Sequence, residues 1–497
     1  MVGILRRPGV VGVPLRALVA RQGLPLADGL VASTADDGGR PKRAHASQNA
    51  VSGLLNAKPQ FSASRVITPR QKVCFAAVGA AIACLFMVWP RIMAQVLVAG
   101  MSFGFVAGLA FRAALAWLGR RAERAVVEPR DEGLPIYTVL VPLFHEKAVL
   151  PQLVDSLLAL DYPAEKLDVK LIVEEDDDET RIAAERLSPF ETVVVPRSRP
   201  RTKPKACNFA LQFARGSRVV VYDAEDHPEP DQLRKAAKAF RKDPGVTCFQ
   251  ARLAIDNAAS GWLARMFALD YGIWFRTLLP GLASLHAPMP LGGTSNHFRT
   301  SDLMKAGAWD PFNVTEDADL GIRLARLDRR VSMLDSTTFE EAPCRFGPWF
   351  RQRTRWMKGY MQTLLVHTRD PGELARNLGF GGCAVIEMFL GGAVWSALVN
   401  PILWTIFVVS CLARSVDPAL LDFFARISGL AFVAGNGLLV ALSIAQEGRL
   451  RRLGSVLFAL TYPVYWLLVS AAAYRALWQL WHDPFRWEKT PHGDAAL

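Results

Sequence analysis

Long apolar segments without a charged residue lie on both sides of a more polar region, and they limit what this chain can fold into. Val73–Trp89 and Ile92–Phe111 are two such segments, separated only by a Pro-Arg pair. Each approaches the roughly 20 residues with which an α-helix crosses the hydrocarbon core of a bilayer. Because basic residues flank the pair on both sides, the sequence predicts a membrane hairpin over residues 71–118 with both ends cytoplasmic.

Apolar character returns after residue 380. Ala384–Ala413 contains Glu387 and Pro401, so it fits either one kinked span or an interfacial helix that leads into a span. Ile427–Ala445 and Leu453–Trp481 each fit one further span. Hydrophobic residues make up 51% of the chain and charged residues 21%, which is typical of a membrane protein that also carries a soluble domain. We therefore expect a transmembrane region over residues 381–481 with three or four spans.

Positive charge is concentrated in the N-terminal region. Residues 1–72 contain eleven Lys or Arg and three Asp or Glu, in a chain whose net charge is +12. Basic residues before a first span favour a cytoplasmic position beside anionic lipid. We expect no nucleic-acid partner, because no platform of basic and aromatic residues accompanies the charge. Residues 28–65 lack hydrophobic periodicity, so the sequence predicts a largely disordered cytoplasmic region over residues 1–70.

Strand and helix patterns alternate over residues 119–345, as is typical of an α/β domain. β-branched apolar runs predict strands at Ile136–Phe144, Val169–Val173, Thr192–Val195, Arg218–Tyr222 and Gly245–Ala254. Helical patterns between or after them lie at Leu150–Leu160, Lys205–Phe213 and Asp231–Phe240. This order predicts a mostly parallel sheet that is covered by helices and binds its ligand at the carboxyl ends of the strands.

An acidic turn, Asp223-Ala224-Glu225-Asp226, directly follows one of these predicted strands. Mg²⁺ and Mn²⁺ prefer oxygen ligands and share protein carboxylates with substrate phosphates. The turn therefore predicts a metal site for a nucleotide-sugar diphosphate, with Asp223 as one ligand and either Glu225 or Asp226 as the second. An acidic surface turn that only leads into a helix is the alternative interpretation.

A second motif, Thr315-Glu316-Asp317, opens the predicted helix Glu316–Leu327. Thr315 suits the N-cap position, and acidic residues in a first turn suit the helix dipole. In the functional interpretation, Asp317 is the general base that deprotonates an acceptor hydroxyl as it attacks an anomeric carbon. Because a metal-bound diphosphate can leave without a protein acid, one base and one metal suffice for a single inverting displacement.

A third motif places Gln352, Arg355 and Trp356 at positions i, i+3 and i+4, which share one face of a helix. Arginine offers planar donors to a phosphate, and tryptophan offers an apolar plane on which a sugar ring can stack. Residues 346–380 also read as an amphipathic helix at the membrane surface, and both interpretations can hold together.

Two further polar clusters lie at predicted strand or helix ends. Lys203, Lys205 and Asn208 open a helix just before the acidic turn, and this position suits contact with a diphosphate. The loop Glu174–Asp178 follows a strand and suits a nucleoside. Solvated surface loops are the alternative for both clusters.

Together these motifs resemble those of the membrane-embedded, processive family 2 glycosyltransferases, which include cellulose, curdlan-type β-glucan, hyaluronan and chitin synthases. The resemblance implies an α/β GT-A-like nucleotide-sugar-binding domain inserted between α-helical transmembrane segments. It also implies that Glu146 and the Glu174–Asp178 loop, with Glu175, bind uridine. The remaining roles implied are substrate contacts for Lys205, Asp223, Glu316, Gln352, Arg355 and Trp356, metal binding at the acidic turn, and Asp317 as the base.

The resemblance further implies a processive enzyme that polymerises a β-linked polysaccharide from a UDP-sugar, with UDP-glucose as the first candidate and Mg²⁺ or Mn²⁺ as cofactor. Its partners would be the growing polysaccharide, the lipid bilayer and export proteins of the periplasm or outer membrane. The enzyme would lie in the inner membrane with a cytoplasmic catalytic domain. A non-processive enzyme that adds a sugar to a lipid carrier is the alternative. The tail at 482–497 resembles a gating segment, which requires that it lie on the cytoplasmic side.

Overall fold

The computed structural model describes residues 40–121, 133–412, 418–445 and 458–488. An eight-stranded sheet forms the centre of the domain, with the strand order β3-β2-β1-β4-β7-β6-β8-β5. In chain order the strands are β1 (Tyr137–Leu143), β2 (Leu167–Glu174), β3 (Glu191–Val195), β4 (Arg218–Val221), β5 (His227–Pro228), β6 (Val246–Ile255), β7 (Asn296–Arg299) and β8 (Arg330–Glu340). The predicted strands are thus confirmed to within two residues at each end, whereas β5, β7 and β8 were not predicted.

The sheet is mixed. Strands β1 to β4 pair in parallel, and β6 pairs in parallel with β8. The short strand β7 is antiparallel to both β4 and β6, and it joins the two parallel groups. Because β4 and β6 both run opposite to β7, the carboxyl ends of β1, β2, β4, β6 and β8 meet at one edge. In open α/β sheets, ligands bind at this edge.

Helices cover the sheet and connect its strands. Around the sheet they are α4 (Leu150–Leu158), α5 (Asp178–Leu187), α6 (Lys203–Leu211), α7 (Gln232–Lys242), α8 (Trp262–Ile273), α9 (Leu279–Ser284), α10 (Thr300–Ala306) and α11 (Glu316–Arg326). Outside this group lie α1 (Arg40–Ala57), α2 (Pro69–Val88), α3 (Pro90–Arg121), α12 (Phe346–His367), α13 (Pro371–Ile386), α14 (Gly392–Leu412), α15 (Pro418–Ala445) and α16 (Tyr462–His482). Strand β1 is almost fully buried, as expected for a strand with helices on both faces.

The prediction of disorder before the first apolar segment is wrong for residues 40–57, which form α1. Ala46, Ala50 and Leu54 recur every fourth residue and are buried on one face of this helix. The side chains of Asn208 on α6 and of Gln212 directly after it donate hydrogen bonds to the carbonyls of Ala50 and Ala46, at 3.2 and 2.8 Å. Most of this buried face is alanine, and the helix that it packs against, α6, is remote in sequence. The local sequence pattern therefore did not predict a helix here. Residues 1–39 lie outside the described part of the chain.

Four helical segments of the described chain are long and apolar enough to cross a membrane: Pro69–Val88, Pro90–Arg120, Pro371–Leu412 and Ala419–Ile444. The predicted hairpin corresponds to the first two. In the third, the helical path breaks at Gly379, where φ is +66°, close to the predicted boundary between interfacial and membrane helix. Helix α16 falls outside this set of four, and the part of the predicted last span before Phe458 lies outside the described residues.

Candidate active site

A cavity of about 460 Å³ opens at the carboxyl edge of the sheet. Its walls come from the ends of the strands, the first turn of α11, one face of α12, and the helices α3, α8, α14 and α16. The cavity therefore extends from the α/β domain to helices of the predicted membrane region. All three sequence motifs contribute side chains to its lining.

Acidic residues that end four strands line this cavity. Glu146 follows β1, Glu174 ends β2, Asp223 follows β4 and Glu340 ends β8. They come together because the carboxyl ends of these strands share one edge of the sheet. Glu340 was missed by sequence reasoning, because the polar residues inside β8 hid the strand that positions it.

Two predicted site residues, Lys205 and Glu175, do not line the cavity, but residues close to them in the chain do. Lys205 is 1% exposed and pairs with Glu174 at 2.8 Å, whereas Lys203 lines the cavity, pairs with Asp223 and donates to the Gly293 carbonyl at 2.7 Å. Two residues apart on a helix, the lysine side chains point in opposite directions. Burial raises the pKa of Glu174, and the nearby Lys205 opposes that rise.

Glu175 lies outside the cavity wall. It is exposed, and its carboxylate accepts a hydrogen bond from the backbone N–H of Arg197 at 3.0 Å. Its predecessor Glu174, the last residue of β2, faces the cavity instead, whereas Glu175 lies in the turn that follows.

Only two of the three carboxylates of the acidic turn face the cavity. Asp223 and Glu225 line it, whereas Asp226 is 1% exposed and points into the protein. One Asp226 oxygen accepts hydrogen bonds from the backbone N–H of Asp223 at 2.7 Å and from the Thr294 hydroxyl. Burial raises the pKa of Asp226 well above its ordinary value, and the charges of Glu340, Asp223 and Glu225 add to this rise. Asp226 therefore shapes the turn.

The carboxyl group of Glu340 lies near the carboxylates of the acidic turn. Burial, followed by the charges of Glu225 and Asp223, raises the pKa of Glu340 to about 8. Within the described residues no three acidic, His or Cys side chains are arranged to hold a metal ion by themselves. Two carboxylates facing a cavity nevertheless fit Mg²⁺, which proteins usually bind through one or two carboxylates, water and substrate phosphates.

Asp317 lies in the first turn of α11 and faces the cavity. Its Oδ1 accepts a hydrogen bond from the backbone N–H of Ala318 at 2.8 Å. Burial raises its pKa, and this N–H group, Lys203 and Arg355 oppose the rise. Burial and the charge of Asp317 raise the pKa of the neighbouring Glu316 to about 8.

Thr315 occupies the N-cap position, but its side chain makes no capping hydrogen bond, contrary to the expected cap. Its side chain instead packs against Gly359 of α12, where any Cβ atom would collide with it. The backbone N–H of Thr315 is bound by the Asn313 side chain at 3.0 Å. The Thr315 side chain thus packs against α12 and does not cap α11.

Helix α12 is fastened to the segment that carries Asp317. Gln362 accepts a hydrogen bond from the Val314 N–H at 3.0 Å, and Thr363 accepts one from Asn313 at 3.1 Å. One turn further, His367 lies 3.0 Å from a carboxylate oxygen of Asp319 on α11. These side chains of α12 are fully buried, so they fix the position of the Asp317 segment against the third motif.

Gln352, Arg355 and Trp356 line the cavity together, as their spacing predicts. The Trp356 ring lies 5.7 Å from that of Phe267. Gln352 Oε1 and Arg355 Nε are buried and have no hydrogen-bond partner among the described residues. Buried polar atoms of this kind normally find a partner, so both are available to a ligand.

The C-terminal segment closes one side of the cavity. Lys358 Nζ donates to the Arg486 carbonyl at 2.8 Å, and Gln362 Nε2 donates to the Pro484 carbonyl at 2.8 Å. Trp487 thereby becomes part of the lining. The segment through residue 488 lies against α12, and the cytoplasmic position of the tail stays a prediction. Residues 489–497 lie outside the described part of the chain.

Helix α8 contributes a further ion pair that sequence reasoning missed. Asp270 lines the cavity, binds Arg353 at 2.8 Å and accepts from the Tyr462 hydroxyl at 3.2 Å. The sequence does not indicate a role for Asp270, because a single acidic residue within an apolar helix belongs to no recognisable motif.

Comparison with known proteins agrees with this geometry. Residues 135–359 match the family model described as glycosyltransferase like family 2. This region is thus similar to family 2 glycosyltransferases, and the expected GT-A-like fold class is confirmed.

Several curated proteins match at lower identity. The chain is 26% identical over 251 residues to the probable glycosyltransferase YdaM of Bacillus subtilis, covering 49% of this chain and 60% of that protein. It is 29% identical over 300 residues to a beta-monoglucosyldiacylglycerol synthase of Trichormus variabilis, covering 58% and 62%. A probable glucomannan 4-beta-mannosyltransferase of Arabidopsis thaliana is 25% identical, covering 47% and 44%. The matched region is less than two thirds of each of these relatives.

Among solved structures, a mannosyltransferase from Pyrobaculum calidifontis in complex with GDP-Man and Mn²⁺ is similar with a TM-score of 0.46 and 18% identity. The match covers 78% of this chain and 99% of that one.

Proposed function

We propose that this chain is an inverting, processive glycosyltransferase that extends a β-linked polysaccharide from a UDP-sugar, with UDP-glucose as the first candidate. One observation carries the proposal. Asp317, the Asp223–Glu225 carboxylates and the Gln352–Arg355–Trp356 face line a single cavity that continues among helices of the apolar region.

The donor would bind across the sheet edge. Phe144 and Arg201, whose guanidinium lies 5.5 Å from the Phe144 ring centroid, line the cavity beside Glu146 and Glu174 and suit a nucleobase and ribose. Lys203 and Arg355 supply positive charge for a diphosphate. Asp223 and Glu225 are the residues that would hold Mg²⁺ or Mn²⁺, and a bound ion would neutralise charge on the leaving diphosphate.

Asp317 would take the proton of the acceptor hydroxyl. It faces the same cavity as the donor groups, and its raised pKa moves it toward the range in which a carboxylate is an effective base. Trp356 would hold the acceptor ring beside it by stacking. Attack from the face opposite the leaving diphosphate inverts the anomeric centre, which makes an α-linked donor yield a β-linked product.

Continuation of the cavity to α3, α14 and α16 supports a long acceptor. A growing polymer would leave through this region, with the α/β domain cytoplasmic and the helices in the inner membrane. Transfer to a lipid acceptor is the second candidate. The same apolar walls favour it, and so does the likeness to a protein named beta-monoglucosyldiacylglycerol synthase.

Purified protein in lipid nanodiscs, incubated with a panel of UDP-sugars and Mg²⁺ or Mn²⁺, tests the proposal. The expected result is a β-glucanase-sensitive polymer from UDP-glucose. A product that partitions entirely into organic solvent and contains a single sugar would replace polymerisation with lipid glycosylation. Release of UDP without any glycosylated product would overturn both.

A further inference from the structure

Arg353 is a buried arginine of helix α12 that the proposed mechanism does not use. It lies between Gln352 and Arg355 in the third motif, is 5% exposed and belongs to the cavity wall. It precedes Trp356 by three residues, so the two side chains share one side of the helix. The Arg353 guanidinium lies over the Trp356 ring, with its carbon 4.7 Å from the ring centroid. A guanidinium at this distance is attracted to the face of an indole.

Two neighbouring helices hold the Arg353 guanidinium. Its Nη1 pairs with a carboxylate oxygen of Asp270 on α8 at 2.8 Å, and its Nη2 donates to the Tyr465 hydroxyl on α16 at 2.6 Å. Asp270 is itself held, because its other oxygen accepts from the Tyr462 hydroxyl at 3.2 Å. A planar guanidinium that is bonded at both terminal nitrogens cannot turn freely, so it keeps one orientation.

Trp356 makes its other ring contacts with α8. The ring centroids of Phe267 and Tyr271 lie 5.7 and 6.1 Å from the centroid of Trp356, and the planes are inclined by 50° and 30°. Phe267 also lies beneath the Arg353 guanidinium, at 4.6 Å. Apolar contacts of this kind leave an indole a choice of rotamers. A cation over one face adds a directional contact that favours one of them.

The ion pair between Arg353 and Asp270 is weak evidence for a purely stabilising role. Removing two charges from water costs much of the free energy that their attraction returns, and apolar residues of similar volume often stabilise a protein as well. A held charge is more useful where a single side-chain orientation must be favoured. Trp356 is the candidate site residue whose ring the Arg353 guanidinium contacts.

We propose that Arg353 is a positioning residue, which keeps the Trp356 ring in the orientation that lets an acceptor sugar stack on it. The inference rests on the proposed function and deepens it, because it assigns the residue that maintains the stacking ring through successive transfers. Direct binding of substrate by Arg353 is the competing role. The geometry favours positioning, since Asp270 and Tyr465 engage both terminal nitrogens of the guanidinium.

Fluorine NMR of the full chain labelled with 5-fluorotryptophan, in lipid nanodiscs, tests the orientation directly. The Trp356 resonance is identified as the one that disappears in Trp356→Phe. We expect a single resonance in the wild-type protein. In Arg353→Met, which preserves length but removes the charge, it should split or broaden at least twofold. Arg353→Lys should keep a single resonance, because an ammonium group still attracts the ring.

Product length and acceptor-independent hydrolysis of UDP-glucose measure the consequence for the reaction. We expect Arg353→Met to shorten the product about fivefold, which corresponds to the loss of one cation–π contact. Hydrolysis does not need the stacking ring, so it should fall by less than about twofold. Arg351→Met is the matched control, because Arg351 lies on the same helix, is partly exposed and does not line the cavity.

Tyr465→Phe gives a second route if Arg353→Met fails to fold. It removes one of the two bonds that hold the guanidinium and leaves the pair with Asp270 in place. The Trp356 resonance should broaden in this variant too, and the product should shorten by less than in Arg353→Met.

Two outcomes would overturn the positioning role. The first is a wild-type Trp356 resonance together with wild-type product length in both Arg353→Met and Tyr465→Phe. The second is a shorter product with an unchanged Trp356 resonance, which would show that Arg353 binds the acceptor itself. Wild-type protein that transfers no sugar would instead reject the proposed function, while the Trp356 resonance would still report on Arg353. The two failures are therefore distinguishable.

Discussion

The Arg355 guanidinium lies over the ring of Trp487, 4.7 Å from its centroid. This contact joins the third sequence motif to a segment more than one hundred residues later in the chain. Arginine stacked on an aromatic face keeps its planar donors free for a phosphate. Trp487 therefore shapes the position of the residue that we assign to the diphosphate.

Replacing Trp487 with alanine should weaken donor binding while leaving the fold intact. Arg355 would lose a contact worth about 1 kcal/mol, and water would reach the diphosphate side of the cavity. We expect the KM for the UDP-sugar to rise about fivefold. Trp481→Ala is the matched control, because that ring is 70% exposed and does not line the cavity. Equal donor KM values in the two variants would contradict a role for Trp487.

The two aspartates of the acidic turn should respond differently to substitution. Asp223→Asn removes a cavity-facing oxygen ligand, so metal-dependent binding of UDP should weaken at least tenfold. Asp226→Asn retains an oxygen that can accept from Thr294, and it removes a buried carboxylate whose pKa is already raised. Calorimetric titration of each variant with UDP and Mn²⁺ measures the difference. A larger loss in Asp226→Asn would move the metal site to that residue.

Activity should decline in acid because the base must be deprotonated. Burial raises the pKa of Asp317 above the ordinary aspartate value of 3.8, so the active fraction is lost as the pH falls through this raised value. A pH–rate profile at saturating metal and donor checks this. An unchanged rate down to pH 3.8 would argue against Asp317 as the base.

The sequence predicted most of the parallel part of the sheet, because buried strands such as Tyr137–Leu143 are continuous apolar runs. It missed Arg330–Glu340, in which polar residues alternate irregularly and the pairing partner β6 lies about eighty residues earlier. Pairing that is distant in sequence decided this strand, and no local pattern indicates it.

The motif residues were predicted better than the residues around them. Gln352, Arg355 and Trp356 face the cavity because the helix period fixes which residues share a side. Which of Lys203 and Lys205 faces the cavity depends on how α6 is rotated about its axis. That rotation is set by the packing of α6 against α1 and the sheet, which the sequence does not show. The role of Asp226 likewise depended on Thr294, a residue from a different loop.

Incorporation of sugar by Asp317→Asn, measured beside the wild-type protein with labelled UDP-glucose in nanodiscs, tests the central claim most directly. The amide preserves the size of the side chain but cannot accept a proton, so transfer should fall by about 10²- to 10⁴-fold. Binding of UDP with Mn²⁺ should remain within about twofold of wild type, since a base contributes little to donor affinity. Polymer synthesis at the wild-type rate by Asp317→Asn would contradict the account.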